Sequence, residues 1–246
     1  MTSISLHLGL NHVSRAAYNG WDGELEGCIP DAMAMSKMAS ARGWTVREVL
    51  TDEQATNEAL VSYIDEIARQ LVRGDRFLLS YSGHGGQVPD TSGDEDDKRD
   101  ETWCLFDGEM IDDKVQTLMS KFKAGVKVIV VSDSCHSGTV TRAPRAPRGS
   151  RKPQTVAPMR EPEIDIVKAS CILFSGCTDD QLSGDLAEGG RFTVTMLSQL
   201  ESLPPKAGWR TLEAEVRRRM PWDQRPGLYF SGKLSYGFIN EVPFKA

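Results

Sequence analysis

The stretch KVIVVSDSCHSGT, Lys127 to Thr139, sets the reading of this chain. Four β-branched residues in a row, Val128 to Val131, suit a strand buried on both faces. The run then breaks into Asp-Ser-Cys-His-Ser-Gly. A second stretch, RFLLSYSGHGGQV from Arg76 to Val88, is built the same way and ends in Ser-Gly-His-Gly-Gly. One strand end delivers a thiol, Cys135, and the other an imidazole, His84. In an open parallel sheet the ligand site lies beyond the carboxyl ends of the strands, so two neighbouring strands of this kind would bring the two side chains together.

The flanking pattern predicts such a sheet. Strand-like runs at Ile4–Leu10, TVREVL and RFLLSYS alternate with helical stretches at PDAMAMSKMASARGW and ATNEALVSYIDEIARQLVRGD. In the first helix Pro30 suits the opening turn, Met33, Met38 and Ala41 give an apolar face, and Gly43 ends it. In the second, Thr56 is the cap, Leu60, Ile64, Ile67 and Leu71 follow helical spacing, and Gly74 is the stop. Residues 90–108 read as a polar loop and DDKVQTLMSKF as a helix with its acids at the favourable end. Beyond residue 165 come a strand at SCILFSGC, two helices, and a tail of one or two closing strands. Alternating strands and helices predict an α/β fold with a mostly parallel central sheet and helices on both faces.

The 246 residues suit one sizeable core, so the expectation is a single domain over 1–246. It divides into 1–141, a basic proline-rich linker over 142–165, and 166–246. No apolar run approaches a membrane span and the N-terminus has no secretory pattern, so a cytoplasmic protein without a membrane partner is expected. Five cysteines without paired spacing read as reduced thiols rather than disulfides or a zinc site. The net charge of −6 argues against nucleic-acid binding. Its distribution is uneven: eleven acids lie between Pro89 and Lys114, whereas Thr141–Arg160 holds six basic residues and no acid.

A cysteine nucleophile needs a base, because a free thiol with a pKa of about 8.5 is mostly protonated at neutral pH. His84 can serve, and Gly83, Gly85 and Gly86 permit tight turns and close substrate approach. The N–H groups of Gly85 and Cys135 can form an oxyanion hole. The predicted chemistry is amide hydrolysis through a thioester. Asp133, two residues before the nucleophile, points to the same side of its strand. Trp21, Trp44, Trp103, Trp209 and Trp222 read as core or surface-cover aromatics.

Taken together, YSGHGGQVPD, GDEDDKRDE and DSCHSGT resemble the metacaspases and their prokaryotic relatives, the orthocaspases, within the caspase-like cysteine peptidases. LEGCIPDAMAM, IDD and FSGCTDDQLSGD resemble them too, so the likeness covers most of the chain. It implies a caspase-like fold, His84 and Cys135 as the catalytic dyad, and His136 as a bystander. It implies that Cys28, Asp31, Ser82 and Asp133 line the pocket for the residue before the cut bond. Two carboxylates there would pair with Arg or Lys, best with the guanidinium fork, and would repel Asp. Helix-start and strand-end roles for Asp31 and Asp133 are the structural alternatives.

The resemblance also implies calcium activation through Asp100, Asp112, Asp113 and a fourth acid, but the fourth position holds Arg142. A solvated acidic loop with Asp112 and Asp113 capping a helix is the plainer alternative. Cys177, Asp179 and Gln181 would border the substrate groove. The basic linker then reads as a self-cleavage segment, with Arg148 and Arg151 favoured because no proline follows them. The partners expected are peptide substrates, and the chain a monomer. A non-catalytic regulatory module of the same fold, with or without bound calcium, is the alternative.

Overall fold

The computed structural model describes residues 1–89, 99–134, 167–176, 189–222, 224–233 and 235–246. Cys135, His136, Arg142, Arg148, Arg151, Cys177, Asp179 and Gln181 lie outside these residues. In chain order the elements are β1 (Ser3–Gly9), α1 (Cys28–Ala41), β2 (Thr45–Thr51), α2 (Asn57–Gln70), β3 (Arg76–Ser82), β4 (Gly85–Pro89), β5 (Arg99–Leu105), β6 (Gly108–Ile111), α3 (Asp112–Ser120), β7 (Lys127–Asp133), β8 (Ser170–Ser175), α4 (Arg191–Ser202), α5 (Trp209–Arg219), β9 (Gly227–Gly232) and α6 (Tyr236–Ile239). Among the described residues no helix is long and apolar enough to cross a membrane.

The main sheet runs β2-β1-β3-β7-β8-β9, parallel throughout except for the antiparallel β8–β9 pair. Side chains along the central strands alternate between two cores, as the pleat requires. Leu79, Val128 and Val130 pack with Leu60, Ile64 and Ile67 of α2 and with Val115 and Leu118 of α3. Leu78, Ile129 and Val131 pack on the opposite face with Met35 and Ala39 of α1, Met196 of α4 and Leu212 of α5. The expectation of helices on both faces is met, and β3 and β7, which carry the two chemical motifs, are direct neighbours.

Helix α2 follows its sequence signals at its start and along its buried face, but it ends at Gln70, short of Gly74. Thr56 Oγ1 accepts from the Ala59 N–H at 3.1 Å, and Leu60, Ile64, Ile67 and Leu71 are fully buried. Two expectations are corrected. Helix α1 begins at Cys28, and its buried face is Cys28, Asp31, Ala32, Met35 and Ala39; Met33 is half exposed. An aspartate therefore sits on the inner face, which an apolar-stripe reading cannot find. Residues 90–108 are not one polar loop, because β4, β5 and β6 form an antiparallel three-stranded sheet. Trp103 and Leu105 drive that pairing: both are fully buried on β5. The tail supplies one closing strand, β9, as expected, followed by the short helix α6.

The β3–β7 register places Arg76 beside Lys127 at the start of the two strands. Glu241, beyond α6, answers both: Arg76 Nη1 reaches Glu241 Oε2 at 2.7 Å, and Lys127 Nζ pairs with the other oxygen. The Arg76 side chain is only 4% exposed, so removing its partner strands a buried cation. Glu241→Ala is expected to destabilise the fold by about 2–4 kcal/mol, read as a lowered urea midpoint at unchanged slope.

Candidate active site

Ser82 ends β3 and Asp133 ends β7, and the two are register partners. Asp31 approaches from the first turn of α1. Ser82 Oγ donates to Asp31 Oδ2 at 2.7 Å. Both carboxylates also hold the start of α4. The Gly190 N–H lies 2.9 Å from each Asp31 oxygen, and Asp133 Oδ2 accepts from the Thr193 N–H at 3.0 Å and from its hydroxyl at 2.9 Å. The positive end of a helix favours anions in this position. A Cβ on Gly190 would stand 2.3 Å from Asp133 Oδ2 and 2.7 Å from Asp31 Oδ2, so the two buried carboxylates face one point. Glycine is the residue that lets the backbone come this close.

Cys28 starts the same helix. It is buried, and its N–H donates to Asn11 Oδ1 at 3.0 Å. Its carbonyl lies against Gly9, where a Cβ would come within 2.3 Å of it. Cys28 and Asp31 thus share the inner face of the first turn.

His84 follows in the short bend between β3 and β4, half buried. Its backbone is fixed on the strand side: the carbonyl accepts from the Tyr81 hydroxyl at 2.7 Å and from the Cys104 N–H at 2.9 Å. Its ring is fixed from the other side. Nε2 lies 3.2 Å from the Gly23 carbonyl, and the ring centroid lies 4.7 Å from that of Trp21. A carbonyl only accepts, so this hydrogen bond puts the proton on Nε2 and leaves Nδ1 as the basic nitrogen. Gly85 begins β4 opposite Trp103.

The caspase domain model (Peptidase_C14) matches residues 13–234. This chain belongs to the caspase domain family. It is 39% identical over 155 residues to metacaspase-1A of Neurospora crassa, covering 57% of this chain and 33% of that protein. It is 32% identical over 190 residues to metacaspase-1 of Arabidopsis thaliana, covering 70% and 52%. The chain thus spans a third to about half the length of these curated relatives. A crystal structure of protein GSU0716 from Geobacter sulfurreducens superposes with a TM-score of 0.83 at 41% identity, covering 100% of this chain and 99% of that one. The mostly parallel six-stranded sheet is therefore the caspase-like fold, and the likeness to metacaspases seen in the motifs is a real one.

Among the described acids of this stretch, Asp107 and Glu109 are exposed, but three others are withdrawn from solvent. Asp100, Glu101 and Asp112 are all buried, and Asp112 opens α3. Asp112 Oδ1 has no hydrogen-bond partner. Burial first, then the charges of Glu101, Asp113 and Asp100, push its carboxyl up to about 8. Among the described residues no three such side chains converge closely enough to hold a metal ion. Hard carboxylate oxygens, one of them buried and unpartnered, are nevertheless the donor chemistry that suits calcium.

Several residues escaped the sequence reading. Gly190 and Thr193 meet Asp31 and Asp133; the Gly189-Gly190 pair ahead of a helical pattern was the available signal. The Gly23 carbonyl had none, since any residue carries one. Glu101 was hidden by the assignment of its strand to a loop.

Asp112 makes a pH prediction. The unfolded carboxyl ionises near pH 4, whereas the folded one holds its proton to about pH 8. The folded state binds the extra proton between those values, so stability is greatest below the window and falls as pH rises through it, by an order of a few kcal/mol. In chelator, the thermal midpoint should drop between pH 5 and pH 8, and Asp112→Asn should flatten that drop.

Proposed function

We propose that this caspase domain is a cysteine endopeptidase that cuts after Arg, and less well after Lys. The observation that carries the reading is the convergence of Asp31, Asp133 and Ser82 on one point at the ends of β3 and β7. Two carboxylates and a hydroxyl suit the five donors of a guanidinium better than the compact ammonium of lysine, and they repel an acidic side chain. In this reading Cys135, two residues past Asp133, attacks the carbonyl carbon. His84 Nδ1 takes the thiol proton and later returns it to the leaving amine. The N–H groups of Gly85 and Cys135 stabilise the oxyanion. Water then hydrolyses the thioester. Cys28, behind the first turn of α1, shapes the pocket wall.

Calcium belongs to the same proposal as an activator. Asp100, Asp112 and Asp113 would supply its ligands once their side chains turn toward a common point, and its charge would offset the burial and repulsion that keep Asp112 protonated. Glu101, buried beside Asp112, adds negative charge to the group, whereas position 142 of the sequence holds Arg in place of the family's acid. Calcium performs no step in the peptide cleavage. The basic segment 142–165 is the proposed self-processing region, with cuts after Arg148 or Arg151. The substrates are peptides or proteins, and the working form is a monomer.

Fluorogenic peptides ending in Arg, Lys or Asp, with calcium or with chelator, test the reading, with Cys135→Ala as the blank. Arg turnover above Lys and none after Asp is expected. Asp31→Asn and Asp133→Asn should each lower kcat/KM on the Arg peptide by about 100-fold or more, the effect of truncating one side of a buried charge pair. Cleavage after Asp would overturn the pocket assignment, and no turnover in any condition would favour a regulatory module instead.

Calcium has its own readout. It should raise the thermal midpoint of Cys135→Ala, and Asp112→Asn in that background should abolish the rise. Mass analysis of the purified wild type should show fragments ending at Arg148 or Arg151 that are missing from Cys135→Ala.

A further inference from the structure

Trp21 is 46% exposed, yet it is held firmly. It sits on a loop closed by two backbone hydrogen bonds, Val13 N–H to Asp22 O at 2.8 Å and Leu25 N–H to Asn11 O at 2.9 Å. Inside, Gly20 N–H donates to Arg15 O at 2.7 Å and Trp21 N–H to Tyr18 O at 3.1 Å. Arg15 Nε donates to Asp22 Oδ2 at 3.2 Å. Tyr18 braces the indole edge-on at 5.7 Å between centroids, and its own hydroxyl is anchored on Leu105 O at 2.7 Å. Three residues of this short loop, Asn19, Gly20 and Gly23, have positive φ. A surface loop so constrained, with a large aromatic left partly in water, is not explained by core packing.

What the loop touches explains it. Gly23, at φ +59°, is wedged between two rings: a Cβ there would come within 3.1 Å of His84 Cδ2 and 3.2 Å of Trp21 Cη2. The glycine carbonyl takes the Nε2 proton while the indole lies against the same imidazole, tilted by 58°. An indole face at this range attracts a cationic ring. Among the described residues, Tyr81 and Cys104 meet His84 from the strand side, and Asp22, next to Gly23 in the loop, is paired to Arg15. Burial pushes the Tyr81 phenol well up, so it stays neutral.

We propose that Trp21 is a positioning residue for the peptidase reaction: with the Gly23 carbonyl it fixes the plane of the His84 imidazole and stabilises the imidazolium. This rests on the proposed Cys135–His84 dyad. Replacing the indole would let the ring swing and weaken the charged form, so Nδ1 would meet the thiol in the wrong geometry for part of the time.

The test uses the full chain with Trp21→Phe, Trp21→Leu and Trp21→Ala. On the Arg peptide, Trp21→Ala and Trp21→Leu are expected to lower kcat by about 10- to 100-fold with KM within about twofold, and Trp21→Phe to recover most of the loss. Leu fills space without an aromatic face, so equal rescue by Leu and Phe would reduce Trp21 to a cover and overturn the proposal. A second readout needs no turnover. A protonated imidazole quenches a neighbouring indole, so the difference in emission between wild type and Trp21→Phe should titrate with pH, and should stop doing so in a His84→Gln background. A difference that does not titrate would overturn the proposal even in an active enzyme. An inactive wild type whose difference still titrates would sink the peptidase reading while leaving the Trp21–His84 contact standing.

Discussion

One register holds this molecule together. With β3 and β7 paired so that Arg76 faces Lys127, Ser82 must face Asp133 six residues along. The same pairing therefore gathers positive charge at one end of the sheet centre and acceptors at the other. Glu241 neutralises the first end, and the N-terminus of α4 meets the second. A slip of one residue would turn every apolar side chain of β3 toward the wrong core and separate both charge groupings at once. Stability and site geometry thus rest on the same ladder of hydrogen bonds.

The fold was legible where apolar periodicity is strong. VIVV and RFLLSYS gave the central strands because residues buried on both faces leave a continuous run, and α2 announced itself by cap and spacing. The His84 and Cys135 motifs stood out because glycine and serine at a strand end are rarely there for packing, and the strands that lead to them are neighbours. Strand β5 was not, because Arg99, Asp100 and Glu101 open it and charge masks the Trp103–Leu105 pattern. The inner face of α1 was misread for a similar reason: its buried Asp31 occupies a position that a hydrophobic stripe would assign to an apolar residue. Asp31 itself was found by family resemblance, and its bond to Gly190 is a long-range contact with no local trace.

Buried acid is the recurrent cost in this structure. Asp31, Asp133, Asp100, Glu101 and Asp112 are all withdrawn from solvent. Burying carboxylates is unfavourable unless donors or cations answer them. Asp31 and Asp133 are answered by amides and hydroxyls. Asp112 is answered by a proton, taken up because burial, and then its acidic neighbours, disfavour its charge. These two solutions differ in kind, since amides are always present whereas a proton comes and goes with pH.

The close seating of Gly190 on Asp31 and Asp133 has a further consequence. The oxygens proposed to choose a substrate are the same oxygens that fasten helix α4 to the sheet. A lineage could not drift toward neutral or acidic substrates by simply discarding the two aspartates, because α4 would lose its anchors in the same step. Preference at this pocket is thereby tied to folding, and diversification would have to run through other walls of the groove.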